Sequence, residues 1–249
     1  MKYLKILSCK VLHREISHLL SACTNFIDVT YLRQGLHNTT EKLMYTLQQE
    51  IDLIDSGEDM HTTYPPYRQD FDAILIGYGL CSNSIEGLHS KKYPLIVPRA
   101  HDCITLFLGS QSLYDEYFHS FGGVAYWYNR SWIENAPMPG RDMFDAELAY
   151  YTAKYGAEKA RDLVDLSAET YKDYKDAVFV KWDGLDSSAH EAYTRMCADY
   201  LGWRYSCVQG GSSLLEDFLS GNWDDERFQI VPPGKSVALT YDKRLLTYM

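Results

Sequence analysis

Phe71-Asp72-Ala73-Ile74-Leu75-Ile76-Gly77, followed by Tyr78-Gly79-Leu80-Cys81-Ser82-Asn83, is the stretch that decides the fold. A short, nearly continuous apolar run closed by glycine is what a strand buried on both faces requires. The glycines in the turn that follows permit a tight bend and a close approach of backbone to a ligand. Buried strands of this kind belong to parallel sheets, whose connections are crossover helices.

Working outward, the same alternation recurs. Leu4–Ser8 reads as a strand and Leu12–Ala22 has helical spacing. Ile27–Tyr31 is a second strand. Thr39 or Thr40 can cap a helix running to about Leu53, with Leu43, Leu47, Ile51 and Ile54 on one face. Leu95-Ile96-Val97 is a strand ended by Pro98, and the apolar Ile104–Leu108 run precedes Gly109-Ser110. Val124–Tyr128 is a further strand. Met143–Tyr174 is rich in Ala, Glu, Lys and Leu and reads as one or two helices. Alternation then returns, with strands at Ala177–Lys181 and Tyr205–Gln209 and helices at His190–Leu201 and Ser212–Leu219. Phe228–Val231 is a last core strand. Asp55–Gln69, with Tyr64-Pro65-Pro66-Tyr67, reads as a surface loop.

The expected fold class is therefore α/β, with Rossmann-like parallel sheets, crossover helices and two lobes around a cleft. The expected division is an N-terminal lobe over 1–140, a helical connector over 141–175 and a C-terminal lobe over 176–249. A chain of 249 residues with 46% hydrophobic residues can bury such a core.

The net charge of −10 repels phosphate backbones, so nucleic acid is not an expected partner. The longest apolar runs are strand-sized, so no membrane span is expected. The start, Met1–Cys9, breaks its apolar run too soon for a signal peptide, which places the chain in the cytoplasm. Tyr accounts for 21 residues, compatible with semi-buried packing, clefts and a homodimer interface. Cytoplasmic thiols stay reduced, so the six cysteines are read as ligands, catalysts or packing residues rather than disulfides.

Ligands of open parallel sheets bind beyond the carboxyl ends of the strands. Cys9 ends the first strand, Cys81 follows Phe71–Gly77, and His101 and Cys103 follow the strand ended by Pro98. The fold brings those loops to one rim. Thiolates and imidazole together suit a borderline-soft ion, zinc first, with iron or cobalt as alternatives. The expected metal ligands are Cys9, Cys81, Cys103 and His101. Asp102 lies between two of them. His13 and Glu15 face the same rim, which makes Glu15, beside His101, a candidate acid or base. Arg99 can hold an anionic group, Gly79 can admit a small-molecule ligand or cofactor, and His37 in Leu36-His37-Asn38 can line the rim. The plainer reading makes Cys9 and Cys81 small buried hydrophobes, His101-Asp102 a hydrogen-bonded turn and His37-Asn38 a helix cap. Cys23, Cys197 and Cys207 read as packing residues. Gln209-Gly210-Gly211-Ser212-Ser213 reads as a capped loop or an anion site.

Tyr78-Gly79-Leu80-Cys81, Pro98-Arg99-Ala100-His101-Asp102-Cys103-Ile104 and Leu108-Gly109-Ser110 resemble a prokaryotic family, the domain of unknown function 1638. Leu36-His37-Asn38 and the stretch from Gly221-Asn222-Trp223 to Pro233-Gly234 are similar to it as well. The resemblance implies anaerobic one-carbon metabolism, in the genomic company of corrinoid-dependent methyltransferases. It admits a methyl-transfer enzyme using a Cys/His-bound metal. It also admits an accessory protein that holds a metal or corrinoid for a corrinoid protein or methyltransferase partner. Thiol redox chemistry through a spatial cysteine pair is a third expectation.

Overall fold

The computed structural model describes residues 1–60, 70–81 and 83–249. The expected Tyr64-Pro65-Pro66-Tyr67 loop and Ser82 lie outside the described residues. The chain is a mixed α/β protein with parallel sheets and intervening helices. It divides into two compact units, Met1–Tyr114 with Gly211–Met249, and Asp115–Gly210.

The first unit holds β1 (Tyr3–Cys9), α1 (His13–Leu20), β2 (Phe26–Leu32), α2 (Thr40–Ser56), β3 (Ala73–Gly77), β4 (Leu95–Pro98) and α3 (Cys103–Leu108). α4 (Gln111–Ser120) carries the chain into the second unit. The second unit holds β5 (Ala125–Tyr128), α5 (Arg130–Asn135), α6 (Arg141–Tyr155), α7 (Ala157–Glu169), β6 (Asp176–Lys181), α8 (Ser188–Leu201) and β7 (Arg204–Gln209). The first unit resumes with α9 (Ser213–Ser220), β8 (Phe228–Val231), β9 (Val237–Leu239) and β10 (Leu246–Tyr248).

In the first unit the strands run β2-β1-β3-β4-β8. The first four are parallel, with Ile6 opposite both Val29 and Leu75, and Leu75 opposite Ile96. Every residue of β3 and β4 is buried, as strands sandwiched between layers must be. Leu43, Leu47, Ile51 and Ile54 form the buried stripe of α2, which runs one turn past Leu53 to Gly57 in a left-handed cap. β8 pairs antiparallel with β4, Val97 opposite Gln229.

This pairing corrects the expected boundaries. Phe228–Val231 covers the edge of the first sheet instead of a C-terminal one, and α6 and α7 share a unit with β5 instead of forming a separate connector. In the second unit, β5-β6-β7 is wholly parallel. Its core gathers Tyr128, Phe179, Met138, Ala198 and Cys197. Cys197 is thus the packing residue expected of it.

Two buried cations tie the first unit together. Lys5, fully buried in β1, is held by Asp28 at 2.6 Å and Asp59 at 2.9 Å. Arg99 was expected to hold an anionic ligand. Its fork is instead committed to the protein: Nε donates to the Asp225 carbonyl, Nη1 to the Arg244 and Leu246 carbonyls, and Nη2 to Asp225 Oδ1 and Gln229 Oε1. A planar guanidinium offers five donors, and all five are engaged in fastening β4 to β8 and the β9–β10 hairpin. Arg99→Ala is expected to lower stability by about 3 kcal/mol, because several buried acceptors lose their donors together. Urea unfolding measures the loss. Hydrogen exchange should accelerate first in β8 and β10, and Arg99→Lys should restore only part of the stability.

Candidate functional site

The strand order places a topological switch point between β1 and β3. The chain leaves β1 toward β2 on one side and later enters β3 on the other, so the two carboxyl-end loops diverge there. Cys9 is the last residue of β1, and Tyr78-Gly79-Leu80-Cys81 follows β3 directly. The segment after β4 closes over this turn. The Leu80 amide donates to the Ala100 carbonyl at 2.9 Å and the Cys81 amide to the His101 carbonyl at 3.2 Å. A β-carbon on Gly79 would lie 2.7 Å from both Cα and N of Asp102, so no other residue allows this approach. Cys81 (φ 43°) and Asn83 (φ 65°) both adopt left-handed backbone. That conformation is costly for side-chain-bearing residues and concentrates at functional sites.

The result is a cluster of three thiols around Tyr78. Burial pushes the Cys9 thiol up to about 11, opposed by the Val11 amide and the Tyr78 hydroxyl. Burial pushes Cys81 up to about 12, and the charges of Asp102 and Cys9 add to it. Cys103 is raised well above the ordinary thiol range by burial, then by Asp102, Cys81 and Cys9. Cys81 and Cys103 keep some exposed surface as residues, while the atoms packed around each sulfur desolvate it. Amides of Gly79 and Cys103 point at the Cys81 sulfur. The Tyr78 hydroxyl is buried and lies beside the Cys9 thiol, yet no described residue gives it a hydrogen bond of acceptable geometry. A buried hydroxyl without a partner is costly.

Asp102 caps α3, its Oδ1 accepting from the Ile104 amide at 2.9 Å and the Thr105 amide at 3.3 Å. The Tyr114 hydroxyl donates to its Oδ2 at 3.3 Å. Burial raises its pKa, and these donors oppose the rise. His101 is exposed, with its ring 5.8 Å from that of Tyr114. Among the described residues, no group of three or more His, Cys, Asp or Glu side chains forms a ready coordination set. The expected tetrahedron of Cys9, Cys81, Cys103 and His101 is therefore not preformed.

Glu15 is buried in α1, and its charge bears on Tyr31 of β2, whose pKa is raised mainly by burial. The His13 ring meets Tyr31 edge-on at 6.4 Å. His37 is half-buried in a single turn after β2, and burial lowers its pKa. Tyr78 and Tyr114 were not singled out from the sequence. The first stood in view as part of the glycine turn, but an orphaned hydroxyl has no sequence signature.

Residues 31–219 match a family described as "Protein of unknown function (DUF1638)". The chain belongs to this family. No curated protein and no solved structure matches it. The matched span of this DUF1638 chain contains Tyr78, Cys81, His101, Asp102 and Cys103, whereas Cys9 and the Gly221–Gly234 stretch lie outside it.

Chemically, the cluster has sulfur donors and amide donors, and among the described residues no basic side chain is a main influence on the three thiols. Each unit of raised pKa removes about nine-tenths of the thiolate at a given pH. In chelator-treated protein, iodoacetamide at pH 8 should label exposed Cys207 first, with Cys9 slowed by about 100-fold and Cys81 by about 1,000-fold relative to an ordinary thiol. Peptide mass mapping over pH 8–12 checks it, with labelling rising as pH climbs toward 11 and 12. Because the folded pKa values are raised, these thiols contribute stability that is whole below about pH 9 and lost through that same window.

Proposed function

We propose that the chain is a metal-binding protein whose centre is the Cys9–Cys81–Cys103 thiol cluster, with zinc the ion of first choice. The observation that carries this reading is convergence. Three thiols from three separate strand ends meet at the switch point, around the buried Tyr78 hydroxyl, to which no described residue gives a hydrogen bond of acceptable geometry. Their raised pKa values argue for the same use. Catalytic and redox thiols are activated by depressed pKa, whereas desolvated thiols beside the Asp102 carboxylate need an external cation before they ionise. A divalent ion supplies that charge and displaces the protons.

Capture requires side-chain rotation, since no set of ligands stands ready among the described residues. The amides on Cys81 would then donate to a thiolate, and the Tyr78 hydroxyl, already beside the Cys9 thiol, would do likewise there. His101, two residues before Cys103, is the nearest candidate for a fourth position; left open, that position admits a small-molecule ligand. Under this reading the first sheet is Rossmann-like and the protein acts in the cytoplasm. The one-carbon setting, with methyl transfer or metal and corrinoid delivery as the task, follows from the family resemblance.

Anaerobically purified wild-type protein should carry near-stoichiometric metal by elemental analysis, and Cys81→Ser and Cys103→Ser should each lose it while remaining folded. Metal-free wild type, never exposed to chelator or air, overturns the reading.

A further inference from the structure

The second unit has a pocket of about 450 Å³ that owes nothing to the thiol cluster. α6 supplies one wall. Met143, Glu147 and Tyr151 follow one another at four-residue intervals and Tyr150 is adjacent, so the helix presents them on one side. Tyr193 of α8, Ala146 of α6 and Pro137 and Met138, from the segment ahead of α6, add to the apolar lining, and Asp142 stands in the first turn of the helix.

Two features of this pocket point the same way. Its charged groups are the carboxylates of Asp142 and Glu147, with no lysine or arginine among the described lining residues. Apart from Pro137 and Ala146, the remaining lining is tyrosine rings and thioethers, surfaces that favour a weakly hydrated, carbon-clad cation over a bare metal ion. The unit's own cations already use neighbouring rings in this way. The Arg141 guanidinium lies 4.9 Å over Tyr200, and Lys154 Nζ lies 5.5 Å over Tyr150 and 5.1 Å over Tyr155.

We propose that this pocket binds a compact alkylammonium cation, its charge set against Asp142 and Glu147 and its methyl or methylene groups against Tyr150, Tyr151 and Tyr193. The volume admits a ligand of that size with room for water beside it. Charge and aromatic surface both contribute, so selectivity for the cation over a neutral molecule of the same shape is the diagnostic property.

The test is calorimetric titration of the full-length chain with choline, tetramethylammonium and 3,3-dimethylbutan-1-ol, the uncharged isostere of choline. Choline should bind saturably and at least about tenfold more tightly than the isostere. Glu147→Gln should weaken choline by about tenfold while leaving isostere binding unchanged. Tyr193→Leu should weaken choline, and Tyr151→Phe, which keeps the ring, should retain it. Thermal unfolding of each variant is taken alongside, and if Glu147→Gln fails to fold, the largely exposed Tyr150→Leu provides the reading in its place. Equal affinity for choline and its isostere, unchanged choline binding in folded Glu147→Gln, or no saturable binding of either cation to the folded wild type overturns the proposal.

Discussion

Gly79 lies against the backbone of Asp102 with no room for a β-carbon between them, and the site depends on that contact. It brings the turn after β3 onto the segment after β4, where two amide–carbonyl hydrogen bonds hold it. Once the two backbones are joined, Cys81 and Cys103 have nowhere to go but the same side of the sheet, and Cys9 is already there at the end of β1. The left-handed backbone of Cys81 is a consequence of this closure: the turn is fixed from both ends, and its residue accepts the strain. Glycine at 79 thus serves protein-to-protein approach, whatever ligand the neighbouring sulfurs hold.

The alternation of elements was legible because short buried strands and amphipathic helices have distinct periods. Leu43, Leu47, Ile51 and Ile54 mark the face of α2 in the sequence as plainly as in the structure. The gathering of Cys9, Cys81 and Cys103 was legible for a related reason: in a parallel sheet, every strand's carboxyl end faces one rim. What stayed hidden depends on partners distant in the chain. Arg99 beside Pro98 looks like a rim residue with a free charge, and only the return of residues 225–246 shows where its five donors go. The antiparallel seat of Phe228–Val231 has the same cause, since its apolar pattern fits any sheet edge. The Tyr78 hydroxyl was hidden differently, because its burial beside the Cys9 thiol is a property of the surroundings.

Lys5 and Arg99 show two solutions to burying a positive charge. Lys5, in the interior of β1, meets two carboxylates, one from the neighbouring strand and one from the loop after α2. Arg99 meets carbonyls and side-chain oxygens, so its charge is met largely by dipoles. Buried ion pairs contribute little net stability but lose much when one partner is removed. Each joins segments distant in the chain, Lys5 linking β1 to β2 and the loop after α2, and Arg99 linking the end of β4 to residues 225–246.

The interruption of the first unit by the second has a consequence for synthesis. β4 leaves the ribosome early, yet the strand that covers its edge is made only after the whole of 115–210. The second unit is contiguous and has its whole sequence once Gly210 is made, whereas the first keeps an unpaired β4 edge until residues 228–231 arrive. Completion of the first sheet is thus a late, long-range closure, and a chain stopped short of Phe228 leaves β4 open to pairing with its neighbours.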